Sequence, residues 1–250
     1  MSQASEDSRN LGVNIDHREI ARFESQADQW WNLEGPCRSL HAINPLRAGY
    51  IAARAGVAGK SVLDVGCGGG ILTEALARMG ARMTGIDMGE KPVDAAIRHA
   101  AACGLSIRYE RMSPEQLALQ VPASFDGVVC MELLEHVPDP LAVIQSCAVL
   151  VRPGGDVFFS TLNKTFKSFV FAILGAEYIL RLLPKHSHDW RRFIRPEDLV
   201  AWARAVGLAP LHATGLHYNP FRRTYSLGGD LQVNYMMHFR REPESHIPVG

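Results

Sequence analysis

An excess of either charge is missing from this chain: 26 Lys and Arg stand against 26 Asp and Glu. That removes the electrostatic footprint a nucleic-acid backbone requires, so no nucleic-acid partner is expected. Cysteine is sparse and unpaired in pattern. Cys37, Cys67, Cys103, Cys130 and Cys147 include no C-x-x-C pair, which excludes a zinc ribbon or disulfide scaffold and suits a reducing compartment. No apolar run reaches the ~20 residues of a membrane span. The opening MSQASEDSRN has no apolar signal-peptide core, so residues 1–14 are expected to be a disordered leader and the protein cytoplasmic. Internal repeats and low-complexity segments are also lacking. At 250 residues and 47% apolar content, one α/β core fits and a second full domain would be crowded.

What is present centres on VLDVGCGGG, Val62 to Gly70. Val62, Leu63, Asp64 and Val65 read as a short buried strand, and the helix-forming run ILTEALARM follows the glycines. Strand, glycine loop and helix in that order make a ligand site. Glycine lets the backbone approach closely, and a helix start offers unpaired N–H groups to an anion. The next strand, ARMTGID, ends on Asp87, 21 positions after Gly66, about where a carboxylate meets ribose hydroxyls in such folds. A nucleoside-containing cofactor is implied. The glycine spacing then discriminates between cofactors: a dinucleotide fingerprint needs G-x-G-x-x-G, and here its last position is Ile71.

Gly66-x-Gly68-x-Gly70 preceded by Asp64 instead resembles the first motif of the class I S-adenosylmethionine-dependent methyltransferases. FDGVVCMELLEHV (Phe125 to Val137) resembles their fourth strand and its loop, and LVRPGGDVFFST (Leu150 to Thr161) their Pro-Gly-Gly turn into the fifth. The fold expected is α/β, a doubly wound, seven-stranded, mostly parallel sheet with N-terminal helices and an inserted amphipathic helix after strand five. The strands fall near 62–65, 82–86, 106–110, 126–130, 156–160, 208–214 and 231–240. Residues 15–240 form a single domain, with 15–58 an N-terminal helical cover, 164–190 an inserted helix and 241–250 a tail. Asp16 to Trp31 is expected as one amphipathic helix, and Asn44-Pro45 as a turn into another. GLHYNPFRRTYSLGG is expected as a long loop able to roof an acceptor pocket. Arg47, just upstream of the glycine loop, can pair with a methionine carboxylate through two parallel hydrogen bonds.

The chemistry is expected at the end of strand four, where open α/β sheets place reacting groups. Glu132, Glu135 and His136 are spaced i, i+3 and i+4, one face if they lie on a helical turn. They could ligate a metal, Mg²⁺ first and Zn²⁺ second, or His136 alone could remove a phenol proton. A metal-free arrangement, in which the histidine packs or touches substrate, competes with both. His186, His188 and Asp189 offer a second His/Asp group, read first as a solvated or lid loop. Between Lys164 and Lys185, Phe166, Phe169, Val170, Ile173, Leu174 and Tyr178 define one apolar stripe with basic ends. That suits an anionic membrane surface, or equally a helix packed on protein.

Taken together, ARFESQADQWWNLEG, LHAINPLRAGYI, CMELLEHVPDP, GAEYIL, HDWRRFIRPEDL, GLHYNP and VNYM resemble the ubiquinone-biosynthesis O-methyltransferases, from about Ile15 to Met236. The resemblance implies S-adenosylmethionine-dependent methylation of a catechol hydroxyl on a polyprenylated ring, at both O-methylation steps of the ubiquinone pathway. It carries cofactor contacts onto Arg47, Gly66, Asp87 and Met131, to which the glycine loop adds Gly68, and a divalent metal onto Glu132, Glu135 and His136, which are also the catalytic candidates. It also implies lipid contact for the inserted helix, hence peripheral association with the inner membrane face, and other pathway enzymes as partners. PKHSHDW and GEKPVDAA depart from the family pattern, which bears on local substrate contacts. The competing expectations are methylation of a soluble phenol, a nicotinamide oxidoreductase and a non-catalytic scaffold.

Overall fold

The computed structural model describes residues 14–165 and 192–243. The inserted helix expected over 164–190, apart from its first two residues, and the His186, His188, Asp189 group lie outside the described residues. Five strands, β1 (Ser61–Val65), β2 (Arg82–Asp87), β3 (Arg108–Arg111), β4 (Phe125–Met131) and β5 (Val151–Leu162), pair in parallel. Across the sheet the order is β3-β2-β1-β4-β5-β8-β6-β7. Here β6 is Leu208–Asn219, β7 Thr224–Leu227 and β8 Asn234–Arg241, joined by antiparallel pairings. Strands covered on both faces read as continuous apolar runs rather than as alternation, and Val62, Leu63 and Val65 in β1 are all buried.

Two apolar layers hold the helices on. On one face Leu117, Ile144, Cys147, Leu150 and Leu199 pack with Phe159 and Phe239 of the sheet. These come from α5 (Pro114–Gln120), α6 (Pro140–Leu150) and α7 (Pro196–Ala205). On the other face Tyr50, Ile51, Leu72 and Leu76 pack with Met83, Val129 and Phe158, from α2 (Arg38–Ala55) and α3 (Ile71–Arg78). Pro-first starts are visible at α5 and α6, where Ser113 closes a capping box with Gln116 and Asp139 accepts from Leu141 and Ala142 N–H. The chain leaves β1 for β2 on one side and β4 lies on the other. That is a topological switch point, and such sheets open a crevice there beyond the strand ends.

Three expectations need correcting. The sheet has eight strands, because GLHYNPFRRTYSLGG is a hairpin: Leu216–Asn219 pairs with Thr224–Leu227. Its turn carries no glycine, and Arg223 itself adopts φ 52°, so the usual hairpin signal is absent. The N-terminal helix α1 is only His17–Glu24, capped by Asp16; a 3₁₀ turn follows at Ala27–Gln29, and Trp30 and Trp31 lie beyond it. Asn44-Pro45 does not start a helix but sits inside α2. Proline there removes one backbone hydrogen bond, while the Asn44 side chain donates to Ile71 O at 3.0 Å and ties α2 to α3. Among the described residues no helix is long and apolar enough to cross a membrane.

Candidate functional site

The glycine loop shows why its sequence alternates. Gly66, Gly68 and Gly70 have φ of 74°, 52° and 87°, a region that residues with a Cβ avoid. The Gly66 and Cys67 N–H groups both donate to Ile86 O, at 2.9 and 3.0 Å, fastening the loop to β2. Asp87, at the end of β2, accepts from Gly68 N at 2.9 Å through Oδ2 and from Gly89 N at 2.8 Å through Oδ1. Burial raises its carboxyl above the usual range in spite of these donors. Asp64 is buried beneath the loop and accepts from Thr73 Oγ1 at 2.6 Å; burial lifts it to about 7. A Cβ built on Gly68 or Gly69 would lie 2.3 or 2.4 Å from the Trp30 ring. Trp31 donates from Nε1 to Gly69 O at 2.9 Å and stacks on His99 at 3.4 Å. The tryptophan pair is thus the buttress of the loop.

One cavity of about 580 Å³ opens at the switch point. Arg47, Gly66, Gly68, Asp87 and Met131 all line it, and Glu132 and His136 share the same walls. Glu135 does not: it is buried, and its Oε2 accepts from Thr161 Oγ1 at 2.7 Å. Tyr218 and Tyr225 of the β6–β7 hairpin, rings 4.8 Å apart, also face this space. The segment read as a loop therefore does wall the pocket, as paired strands.

The M-E-L-L-E-H run is not a helical face. Glu132 stands at φ 53° and only Leu134–His136 make a 3₁₀ turn, so the three side chains diverge. Glu132 Oε1 accepts from Ser160 Oγ at 2.8 Å and from Asn234 Nδ2 at 3.2 Å, and pairs with Arg47 Nη2 at 3.0 Å. Glu135 is pushed up to about 8, first by burial and then by the Glu132 charge. His136 Nδ1 lies 2.9 Å from Glu19 Oε2, with its ring edge-on to Phe23. Burial would raise the Glu19 carboxyl, but its bond with His136 and the charges of His136 and Arg22 bring it below the ordinary value. As placed, the ligand atoms of Glu132, Glu135 and His136 are not gathered into one cluster, while Glu135 Oε1 is buried beside the Glu132 charge without a hydrogen-bond partner among the described residues. Among the described residues the one His/Cys/acid trio whose ligand atoms do converge is Glu74, His99 and Cys103. There the carboxylate is already taken by His99 at 2.7 Å and Arg78 at 3.0 Å.

Glu19, Ser160 and Asn234 were absent from the sequence candidates. Asn234 lies in VNYM and Glu19 in an amphipathic helix, but only the fold brings them to the site.

A sequence profile described as a methyltransferase domain matches residues 27–213. The chain is 54% identical over 226 residues to the ubiquinone biosynthesis O-methyltransferases of Escherichia fergusonii and of an Escherichia coli strain, covering 90% of this chain and 94% of each relative. It belongs to the ubiquinone biosynthesis O-methyltransferase family. Solved structures of other methyltransferases share its fold at low identity. A S-adenosylmethionine-dependent methyltransferase of Thermotoga maritima superposes with TM-score 0.62 at 14% identity, over 90% of this chain and 99% of that one. Magnesium protoporphyrin IX methyltransferase of Synechocystis with bound S-adenosylmethionine gives TM-score 0.56 at 18% identity, over 96% and 92%. This methyltransferase uses S-adenosylmethionine as its methyl donor, and the cavity fits that cofactor. Its walls include a loop that tolerates no Cβ at Gly68, the Asp87 carboxylate fastened to that loop, and the Arg47 side chain.

Proposed function

We propose that this methyltransferase methylates a catechol hydroxyl on polyprenylated ubiquinone precursors, at both O-methylation steps of that pathway. The observation that carries the reading is the shared cavity. The five cofactor candidates and the acid-histidine pair of the strand-four loop open on one space, in a chain 54% identical to ubiquinone biosynthesis O-methyltransferases. Arg47 takes the methionine carboxylate, the backbone of Gly66 and Gly68 admits the amino-acid end, Asp87 takes the ribose hydroxyls, and Met131 packs beside the donor. Bound S-adenosylmethionine supplies an electrophilic methyl on sulfur.

The protein's share of the reaction is alignment and proton removal. A phenol of pKa near ~10 must be ionised to attack. His136 lies in the cavity wall with Nδ1 held by Glu19, so the basic lone pair falls to Nε2, and Glu19 stabilises the imidazolium once the proton arrives. Removing His136 (His136→Ala) should lower kcat by about 10²–10⁴-fold with S-adenosylhomocysteine affinity unchanged; full kcat would assign the proton elsewhere. We further propose that the apolar stripe and basic ends of 164–185 dock on the anionic inner membrane face. That is where a polyprenylated substrate resides, and where other pathway enzymes would be met. Incubation with methyl-labelled S-adenosylmethionine and a prenylated catechol should yield the methyl ether, and a tailless catechol should turn over poorly. Transfer to no catechol would refute the reading; equal turnover of both would make the substrate a soluble phenol.

A further inference from the structure

Arg47 is an unusual cation, almost wholly buried yet facing the cavity. Its Nε and Nη2 atoms are sealed from solvent and make no hydrogen bond of good geometry, while Nη2 lies 3.0 Å from Glu132 Oε1. The Arg47 side chain lines the cavity wall. A buried guanidinium without a counter-charge is costly, and Glu132 is the carboxylate that supplies one. Glu132 is in turn immobilised from two other strands. Ser160 of β5 donates from Oγ to Oε1, and Asn234 of β8 donates from Nδ2 to both oxygens, at 3.2 and 3.3 Å. The Glu132 N–H is itself held by Ser160 O at 3.1 Å.

We infer that Glu132 is a positioning residue: anchored by Ser160 and Asn234, it holds the Arg47 guanidinium in the cavity wall for the carboxylate of the cofactor's methionine half. This rests on the S-adenosylmethionine reading above and deepens it, giving Glu132 a part in cofactor recognition. The chain of contact runs from β8 and β5 through Glu132 to an arginine on α2, four segments remote in sequence. A charge-assisted hydrogen bond depends steeply on direction, so loosening Glu132 weakens the carboxylate contact while the adenosine half of the site is untouched.

The test compares two ligands by calorimetry. S-adenosylhomocysteine carries the amino-acid carboxylate; 5′-methylthioadenosine keeps the adenosine and thioether and lacks it. Glu132→Gln keeps the size and the acceptor oxygen for Ser160 and removes the charge. It should weaken S-adenosylhomocysteine binding about tenfold or more and change methylthioadenosine binding less than about twofold. Arg47→Ala should give the same pattern, and the double variant should be no weaker than Arg47→Ala alone. Should Glu132→Gln fail to fold, Ser160→Ala decides, with a loss of about threefold expected for S-adenosylhomocysteine only. Equal weakening of both ligands, or of neither, overturns the inference. If the wild-type protein binds neither ligand, the methyl-donor reading itself has failed, a distinguishable result.

Discussion

Gly69→Ala isolates the contact between the N-terminal cover and the glycine loop. Gly68 would confound the experiment, since its φ of 52° strains any larger residue. Gly69 is not among the positive-φ glycines, so its lack of a side chain serves space alone. A Cβ there would stand 2.4 Å from Trp30 Cγ and Cδ1, whereas unstrained carbon contacts begin near ~3.5 Å. The ring must retreat by roughly 1 Å, and overpacking of this kind costs about 1–3 kcal/mol, offset by about 0.4–1 kcal/mol from the stiffer unfolded chain. Trp30→Ala alone should cost about 3–5 kcal/mol, as deletion of a large buried ring does, because Trp30 is 5% exposed. With the ring gone the added methyl has room, so Gly69→Ala should become neutral or stabilising in that background. The double-mutant cycle, read by urea unfolding of all four proteins, should show a coupling of about 1–3 kcal/mol. In thermal scans, each kcal/mol is worth about 2–4 °C at this size. Additivity within about 0.5 kcal/mol would mean that Trp30 does not rest on the loop.

Glu135→Gln should flatten the pH dependence of stability. The buried acid has a folded pKa of about 8 against an ordinary 4.5, so the folded state keeps its proton where the unfolded state has lost it. Stability therefore falls as pH rises from about 4.5 to about 8, and unfolding at pH 6 and 8.5 should show the variant losing less than wild type. Asp64, at about 7, should leave a residual slope. Asp156 has the opposite sign. Burial would raise it, but His238 at 2.9 Å and Arg240 at 2.7 Å bring its carboxyl below the ordinary value. Its contribution is present above the unfolded pKa near 3.8 and is lost as pH falls further. Asp156→Asn should then cost about 3–5 kcal/mol at pH 7, with the gap to wild type closing below pH ~4; a constant gap would refute the pairing. Pelleting with anionic liposomes should weaken with salt and with Phe169→Asp, and absence of pelleting at low salt would leave the stripe a protein contact.

What was legible in the sequence is what local backbone demands dictate. Three alternating glycines announce three left-handed residues, and Asp87 announces itself by its distance from them. The buried parallel strands read as apolar runs because both their faces are covered. The misreadings have a common origin in contacts distant along the chain. Helix α1 stops at Glu24, and Trp30, beyond it, seats on the glycine loop. Helix α2 runs through Pro45 because packing on α3 outweighs one missing hydrogen bond. Thr224–Leu227 is a strand through pairing with β6 across a turn with no glycine. The acid-histidine run was assigned a helical face from spacing alone, yet Glu132 takes φ 53°, a conformation that no periodicity argument foresees and that the Ser160 and Asn234 contacts accompany. Only the assembled sheet brings those two residues to Glu132.

The placement of β8 ties two parts of the pocket to one strand. Because β8 lies between β5 and β6, the β6–β7 hairpin joins the rest of the sheet only through a strand that follows it in sequence. The tyrosine-bearing wall of the pocket and Asn234 therefore both depend on one stretch, residues 234–241.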